Sequence, residues 1–528
     1  MKPGPAERAR EEAARGPDPA GALPALDRFL AAAGPRAKSL LSRDGAPRAL
    51  ATLLSLGEAP ARAVERDPAA LAFAMDGPGR PPAAEVEARI RAAAADGAAL
   101  RRARRRELLR ILLADATGAA DLDATAGAIS DLADAVLRAV LDRELAAAAA
   151  RDGTPRHADG SPASIACVAL GKLGGAELNY SSDVDLLFVR SGEGRCAGGR
   201  DLLEHYGAAV GSAVRVLSRP TEDGHLYRVD LRLRPRGAAG ALVPRASGAV
   251  HYYRSLGRGW ERQALLKARP VAGDLGLGAS FLRDLEPWVY GRPLLMAEIS
   301  EIRRLKRDLE GGADAGEGNL KTGRGGIRDI EWVVQFLQLL LGAEHPSVRA
   351  TGTKEGLRRL RAAEALDDGE ARALAAAYDF LRTAEHRLQA ADDTQVHALP
   401  ADEAGVALLA RRLGFGRDGS DPVTGFRESH ARHAAAARGA LDRLVHDAFS
   451  AEEEKARRVV DLLLGGGEVG ADEAAAALRP FGFRSPAAVF ADLRRMERAR
   501  SPWLPRTRAY FASAAPALLG RAAATPDP

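Results

Sequence analysis

Apolar positions divide the chain into three textures. From Leu23 to about Ala150, leucine and alanine recur at spacings of three and four, broken by Gly and Pro, and this predicts a run of amphipathic helices. The clearest is DLADAVLRAVLDRELAAAAA (131–150). RRARRRELLRILL (101–113) is another, with a very basic first half. After a Gly/Pro-containing loop at 151–163 the period changes. IACVAL (165–170), VDLLFV (184–189) and LYRVDLRL (226–233) are short, β-branched or alternating runs that predict strands, and RDLLEHYGAAVGSAVRVL (200–217) predicts a helix between the last two. From about Ile302 to Ser450 the helical period returns, with segments at 327–342, 353–366, 370–392 and 425–449. GGGEVG (465–470) then precedes a last helical piece. Residues 1–22, rich in Pro, Gly, Ala and charge, read as a disordered tail. The expected organisation is α+β and mostly helical: a tail (1–22), an N-terminal helical region (23–150), a compact α/β unit (151–300), a C-terminal helical bundle (301–450) and a helical, linker-like tail (451–528).

Composition narrows this picture. A chain of 528 residues exceeds one ordinary domain, and 46% hydrophobic content is enough for several cores. Two cysteines, Cys167 and Cys196, without CxxC or Cys/His spacing, make a disulfide framework or a zinc site a poor expectation and point to a reducing cytoplasm. The N-terminus lacks the apolar stretch of a secretory signal, and no run of about 18 apolar residues predicts a membrane span. A net charge of +5 is mild over this length. The basic run Arg101–Arg106 lacks interleaved aromatics, so a solvated helix face is expected there and no nucleic-acid partner.

The chemistry concentrates around GKLGGAELNYSSDVDLLFV (171–189). Residues i and i+2 of a strand share a face, so Asp183 and Asp185 project together and repel unless something positive lies between them. A divalent cation does this, and Mg²⁺ prefers carboxylate oxygens, water and substrate phosphates. In YRVDLRLRP (227–235) the alternation places Arg228, Asp230, Arg232 and Arg234 on one face. Asp230 is then a third metal carboxylate, and the arginines are phosphate partners. GKLGG (171–175) allows close backbone approach to a phosphate, although it is not a Walker A loop. Each feature alone is common: an isolated DxD is seldom catalytic, and an Arg-rich strand face is usually solvated. Their order carries the argument.

That order resembles the nucleotidyltransferase superfamily with a polymerase-β-like palm, and more closely the glutamine synthetase adenylyltransferase/adenylyl-removing family. WERQALLKARPVAGD (260–274), LKTGRGGIRDIEWVVQFLQLL (320–340), AYDFLRTAEHRLQ (377–389) and RRRELLRILLAD (104–115) are similar to that family in order. The resemblance implies a nucleotidyltransferase catalytic domain at 151–300. Asp183, Asp185 and Asp230 would bind two Mg²⁺ or Mn²⁺ ions. Gly174, Gly175 and Ser182 would shape the nucleotide pocket, with Arg232, Arg234, Lys267 and Glu331 as further nucleotide or phosphate contacts. ELNYSSDVDL and GRGGIRDIEW resemble the N-terminal, adenylyl-removing half. The expected reaction is therefore removal of AMP from a glutamine synthetase tyrosine with orthophosphate, releasing ADP. The alternative is addition of AMP from ATP with release of pyrophosphate, and a non-catalytic module docking on glutamine synthetase is a weaker expectation. RNA-directed nucleotidyl transfer shares the palm but finds no support in the flanking helices. A PII-type signalling protein and glutamine are the implied regulators, and the tail ending at Pro528 resembles the linker before a second half. Asp329 and Trp332 stand where the family more often has Glu and Phe.

Three local readings stay open. Arg328, Glu331, Gln335 and Gln338 form a polar stripe on a helix that faces either solvent or the cleft. The resemblance favours the cleft, with Gly325-Gly326 offering amides to phosphate. Lys267 and Arg269 are either nucleotide cations or solvated. His386 and His397 receive no role.

Overall fold

The computed structural model describes residues 3–77, 80–291, 318–446, 471–483 and 485–498. Its centre is a four-stranded sheet in the order β5-β3-β2-β6. Strand β2 (Ile165–Ala169) lies antiparallel to both β3 (Val184–Arg190) and β6 (Arg269–Gly273), while β5 (Val229–Asp230) runs parallel to β3. A separate ribbon pairs β1 (Pro155–His157) with β4 (Gly194–Cys196). The remaining ordered elements are helices, so the architecture is the expected α+β, mostly helical one.

Period-two alternation explains how the sheet is covered. Ile165, Cys167 and Ala169 of β2 and Val184, Leu186 and Phe188 of β3 pack into one core with the N-terminal helices. Ala166 and Val168, with Leu187 and Val189, pack into a second core with the C-terminal helices. A strand buried on both faces reads as a continuous apolar run, and β2 is buried at every position. Asp185 shares its parity with Leu187 and Val189, so it stands on the face turned toward the C-terminal helices. The sheet thus carries its acidic positions into the seam between the palm and the bundle.

The predicted helices in this bundle are observed as Ile327–Leu341, Thr353–Ala362, Asp368–Asp392 and Pro422–His446, with Glu403–Arg412 in addition. The helix predicted at 200–217 is Leu202–Ser218. Among the described residues no helix is long and apolar enough to cross a membrane. Both cysteines are free and buried. Most of the expected tail at 451–528 lies outside the described residues; within it, Ala471–Leu478 and Pro486–Arg498 are helical.

Four expectations need correction. The segment 226–233 is a strand only at Val229–Asp230. Beyond it the chain turns, and Arg234 folds back to donate to the carbonyls of Leu231, Ala238 and Gly240. Alternation therefore fails after Asp230. The edge strand β6 escaped the sequence reading because it contains Pro270, which lacks a ladder donor; the register slips at Cys167/Val168 where Pro270 pairs. Residues 1–22 are not a loose tail from Pro5 onward. Pro5–Arg15 and Pro19–Ala33 are helices whose Ala9, Ala13 and Ala22 are fully buried. Small alanines allow this close packing at a composition that mimics disorder. Finally, the 101–106 run is not a solvated face. Arg101 is buried and donates to the carbonyls of Gly224, Val216 and Arg219. Arg104 lies 4.5 Å from the centre of the Tyr227 ring. Arg105 pairs with Asp223 and Arg106 with Asp67. The run fastens the N-terminal helices to the palm.

The N-terminal helices also reach the bundle. Arg412 pairs with Asp18 and donates to the Ser55 carbonyl. At Gly57, with φ of +146°, an added Cβ would lie 2.5 Å from the Ala391 backbone. Gly57→Ala is expected to destabilise the whole chain by about 1–3 kcal/mol, the usual cost of overpacking, measured as a lower urea midpoint in one transition. An unchanged midpoint would show that this contact does not hold the two regions together.

Candidate active site

Strand pairing builds the acidic centre. Val184 pairs with Val229 and Asp185 with Asp230 across the parallel β3/β5 ladder, which puts the two carboxylates side by side on one face. Asp183 precedes β3 by one residue. Asp183 accepts from Arg228 Nε at 2.5 Å, and the same guanidinium donates to the Ser181 carbonyl at 2.8 Å. Asp230 is chelated by Arg232 through Nε and Nη2 at 2.9 and 2.6 Å, and accepts the Arg232 backbone amide at 2.8 Å. Asp185 differs: among the described residues its carboxylate has no hydrogen-bond or ion-pair partner. Burial and the charges of Asp230 and Asp183 push its carboxyl up to about 6, against the pull of Lys321 and Lys172. Asp230, held mainly by Arg232, is lowered.

The three carboxylates are hard oxygen donors of the kind Mg²⁺ or Mn²⁺ takes, and one of them is unpartnered and pushed toward its neutral form. Two of the three are turned to arginines, and among the described residues no group of three or more acidic, His or Cys side chains forms a ready metal cage. Arg228 and Arg232 stand where a cation would otherwise supply the charge.

The GKLGG loop divides its labour unlike the sequence expectation. Gly171, with φ of +54°, faces the site: an added Cβ would lie 2.5 Å from Asp185 Oδ2. Gly174 instead abuts the Lys267 carbonyl at 1.9 Å from such a Cβ, and Gly175 abuts Glu177 and the Thr351 carbonyl. Both permit close packing inside the protein. Ser182 is partly exposed beside Asp183 and has no hydrogen-bond partner among the described residues. Arg234 is committed to its turn, whereas Arg232, 83% exposed at its side chain, remains at the site's edge.

Lys267 is an internal cation. Its ammonium lies 2.9 Å from Glu177 and 2.8 Å from Glu331 and donates to Thr353 Oγ1. Burial opposes its charge, but the two carboxylates outweigh that and raise its pKa. Burial likewise works against Glu331, yet Lys267 and Lys172 bring it down to about 2. Arg269 pairs with Asp134 of the helix Leu122–Asp152. Three members of the polar stripe of Ile327–Leu341, Glu331, Gln335 and Gln338, therefore turn to partners inside the protein, whereas Arg328 is partly exposed. Besides Glu331, Gln335 accepts from Gln263, and Gln338 donates to the carbonyls of Val348 and Ala350. The amides at the start of this helix are also used internally: Gly325 donates to Asp329, Gly326 to Gly323, Ile327 to Leu320 and Arg328 to Lys321. They are not a phosphate cradle.

The sequence reading passed over two lysines. Lys172, next to Gly171, and Lys321, in the loop before Ile327, have no ion-pair partner among the described residues. Lys172 and burial together bring Lys321 down to about 8.

Residues 48–284 match the glutamate-ammonia ligase adenylyltransferase family, and residues 296–445 match the GlnD PII-uridylyltransferase family. Bifunctional glutamine synthetase adenylyltransferase/adenylyl-removing enzymes are similar along most of the chain. The one from Thioalkalivibrio sulfidiphilus is 36% identical over 471 residues, 84% of this chain and 47% of its own length. That of Streptomyces avermitilis is 36% identical over 452 residues, 85% of this chain and 43% of its own. That of Xanthobacter autotrophicus is 42% identical over 332 residues, 60% and 33%. The chain belongs to the glutamine synthetase adenylyltransferase/adenylyl-removing family. It spans between a third and a half of the length of these curated relatives.

In this family member the segment leading into the acidic strand is clamped to the bundle. Asn179 accepts from Arg382 and donates to Glu385 Oε2 at 2.6 Å, and His386 Nε2 lies 3.0 Å from Asn179 Oδ1. The Ser181 amide donates to Gln389 and its hydroxyl to the Asp393 carbonyl. Tyr180 and Arg387 meet at Asp115. His397 Nδ1 lies 2.6 Å from Glu385 Oε1. The family-like histidines thus have positioning contacts.

The raised Asp185 carboxyl carries a stability signature. Its unfolded value lies near 3.8, so between about pH 4 and pH 6 the folded chain holds the extra proton. Stability then falls as pH rises through that window. Asp185→Asn is expected to stabilise the metal-free chain at neutral pH by about 1–3 kcal/mol and to have little effect near pH 4, measured by urea unfolding at both pH values. A variant no more stable than wild type at neutral pH would contradict this.

Proposed function

We propose that this unit transfers AMP at a glutamine synthetase tyrosine, and that it works in the removing direction, with orthophosphate as nucleophile and ADP as product. The observation that supports this most is the pairing of Asp185 with Asp230 on adjacent strands, with Asp183 beside them and cationic side chains around them. The direction rests on ELNYSSDVDL and GRGGIRDIEW, which resemble the removing half.

Asp183, Asp185 and Asp230 would hold two Mg²⁺ or Mn²⁺ ions, whose chemistry is to neutralise the phosphoryl oxygens during in-line displacement. The protein's own part is positioning and charge. Asp183 leaves Arg228 and Asp230 leaves Arg232, and the released Arg232 faces the phosphoryl oxygens. Gly171 keeps the loop clear of the Asp185 carboxylate. An oxygen of orthophosphate forms a bond to the AMP phosphorus, the bond from phosphorus to the tyrosine oxygen breaks, and that oxygen takes a proton from solvent. Lys267 and Glu331 act at one remove, by holding the GKLGG loop, β6 and the Ile327–Leu341 helix in one arrangement.

The protein substrate is glutamine synthetase, and the setting is the cytoplasm. The match of residues 296–445 to a PII-uridylyltransferase family supports control by a PII-type protein, with glutamine as a second effector. The competing reading is addition of AMP from ATP, and the resemblance of the whole family favours it next.

Product analysis separates the two. With adenylylated glutamine synthetase, orthophosphate and Mg²⁺, the chain is expected to release ADP, and Asp183→Asn to lower that rate at least about 100-fold with an unchanged circular dichroism spectrum. Pyrophosphate release from ATP without ADP release would reverse the direction. A near wild-type rate in Asp183→Asn would remove the carboxylate site.

A further inference from the structure

The residues that lead into the acidic strand, Glu177 to Asp183, form neither helix nor strand, yet Glu177 to Ser181 are buried. Contacts from outside the segment set its place. On one side it lies along the bundle helix Asp368–Asp392, where Arg382 donates to the Glu177 carbonyl and to Asn179, and Gln389 accepts the Ser181 amide. On the other side it is held by the N-terminal helices. Ser130 Oγ, on the helix Leu122–Asp152, accepts the Leu178 amide at 3.1 Å. Asp115, on the helix Gly97–Thr117, accepts the Tyr180 hydroxyl at 2.9 Å.

Asp115 does nothing for its own helix. It lies in the last turn, where the macrodipole disfavours a carboxylate, and its side chain is only 9% exposed, where an unpaired charge is costly. Arg387 of the bundle answers it with a two-pronged contact, Nη1 to Oδ2 and Nη2 to Oδ1. Burial opposes the Asp115 charge, but Arg387 outweighs that and holds the carboxyl below its ordinary value. The Tyr180 ring packs edge-on against His386, with ring centres 5.3 Å apart. One carboxylate thus joins an N-terminal helix, the approach to the acidic strand and the bundle. From Tyr180 the path to the acidic centre is short. The carbonyl of the next residue, Ser181, accepts from Arg228, and the same guanidinium donates to Asp183. A shift of Tyr180 moves both the carbonyl that orients Arg228 and the backbone that enters β3.

We propose that Asp115 is a positioning residue for the carboxylate site: through Tyr180 it fixes Asp183, so that the N-terminal helices take part in forming the metal-binding corner. This rests on the metal site proposed above and is independent of the direction of AMP transfer. Asp115 acts at one remove, so its loss changes metal affinity and turnover and leaves the recognition of the protein substrate as it was.

The test uses the full chain with Mn²⁺ as the probe, followed by electron paramagnetic resonance, and ADP release from adenylylated glutamine synthetase as a second readout. Tyr180→Phe removes only the hydroxyl that meets Asp115, and Asp115→Asn keeps the shape and removes the charge. Each is expected to weaken Mn²⁺ binding about threefold or more and to lower kcat about tenfold, with the KM for adenylylated glutamine synthetase unchanged. The double variant is expected to lose little beyond either single one, because both cut the same link. Arg412→Met, which breaks the separate contact of the bundle with Asp18 and Ser55, is expected to lower the urea midpoint with Mn²⁺ affinity unchanged. If Asp115→Asn does not fold, Tyr180→Phe decides. Wild-type Mn²⁺ affinity in Tyr180→Phe, or an equal loss in Arg412→Met, overturns the positioning role and leaves the metal site standing. Weakened Mn²⁺ binding in Tyr180→Phe, with no ADP release by wild type, supports the role and removes the proposed reaction. A wild type that binds no Mn²⁺ overturns the role together with the metal site.

Discussion

Three carboxylates cannot share one corner of a small sheet without counter-charge, and the arrangement around that corner follows from this repulsion. The β3/β5 ladder forces Asp185 against Asp230. Arginine from the same β5 segment answers Asp183 and Asp230. Asp185 has no such answer and is driven toward its neutral form. Lysines from the adjoining loop and from the bundle approach without pairing. Charge that is partly balanced in the bare protein suits the proposed reaction, in which a cation and a phosphoryl group would both enter the site.

The corner is kept in place from outside the sheet. One core joins the sheet to the N-terminal helices and another joins it to the C-terminal helices. The buried polar contacts of Asn179, Arg382, Glu385 and His386 fix the approach to Asp183, and the Lys267 triad fixes the GKLGG loop. A buried polar network of this kind holds one geometry when its members are satisfied. The bundle is therefore part of the site's frame, and a change in its packing reaches Asp183 through Asn179 and Ser181. The Arg101–Arg106 run does the same service for the N-terminal helices.

Local pattern made the central strands, the long helices and the acidic cluster legible, because periodicity and DxD spacing are properties of neighbouring residues. Partnership across the fold was not legible in the same way. Arg234 looks equivalent to Arg232 along an ideal strand, but the chain turns after Asp230 and spends Arg234 on its own carbonyls. Gly174 and Gly175 look like a phosphate loop, whereas Gly171 is the glycine against Asp185. Lys267 and Glu331 look like ligand contacts, yet they find each other from positions 64 residues apart. Lys172 and Lys321 lie inside the GKLGG and LKTGRGGIRDIEW stretches, but nothing local marks their side chains. Only the absence of a partner distinguishes them, and that depends on which acids the tertiary structure has already used. The N-terminal helices were hidden by an alanine-rich composition that packs closely but resembles an unfolded tail.

Manganese titration followed by electron paramagnetic resonance tests the central account most directly, because it reads the carboxylates without any substrate. The account predicts saturable Mn²⁺ binding to the bare chain that weakens as pH falls through about 6, where Asp185 takes up its proton, and that is lost in Asp185→Asn with the fold retained. Binding that is indifferent to Asp185→Asn, or no saturable binding at neutral pH, would contradict it.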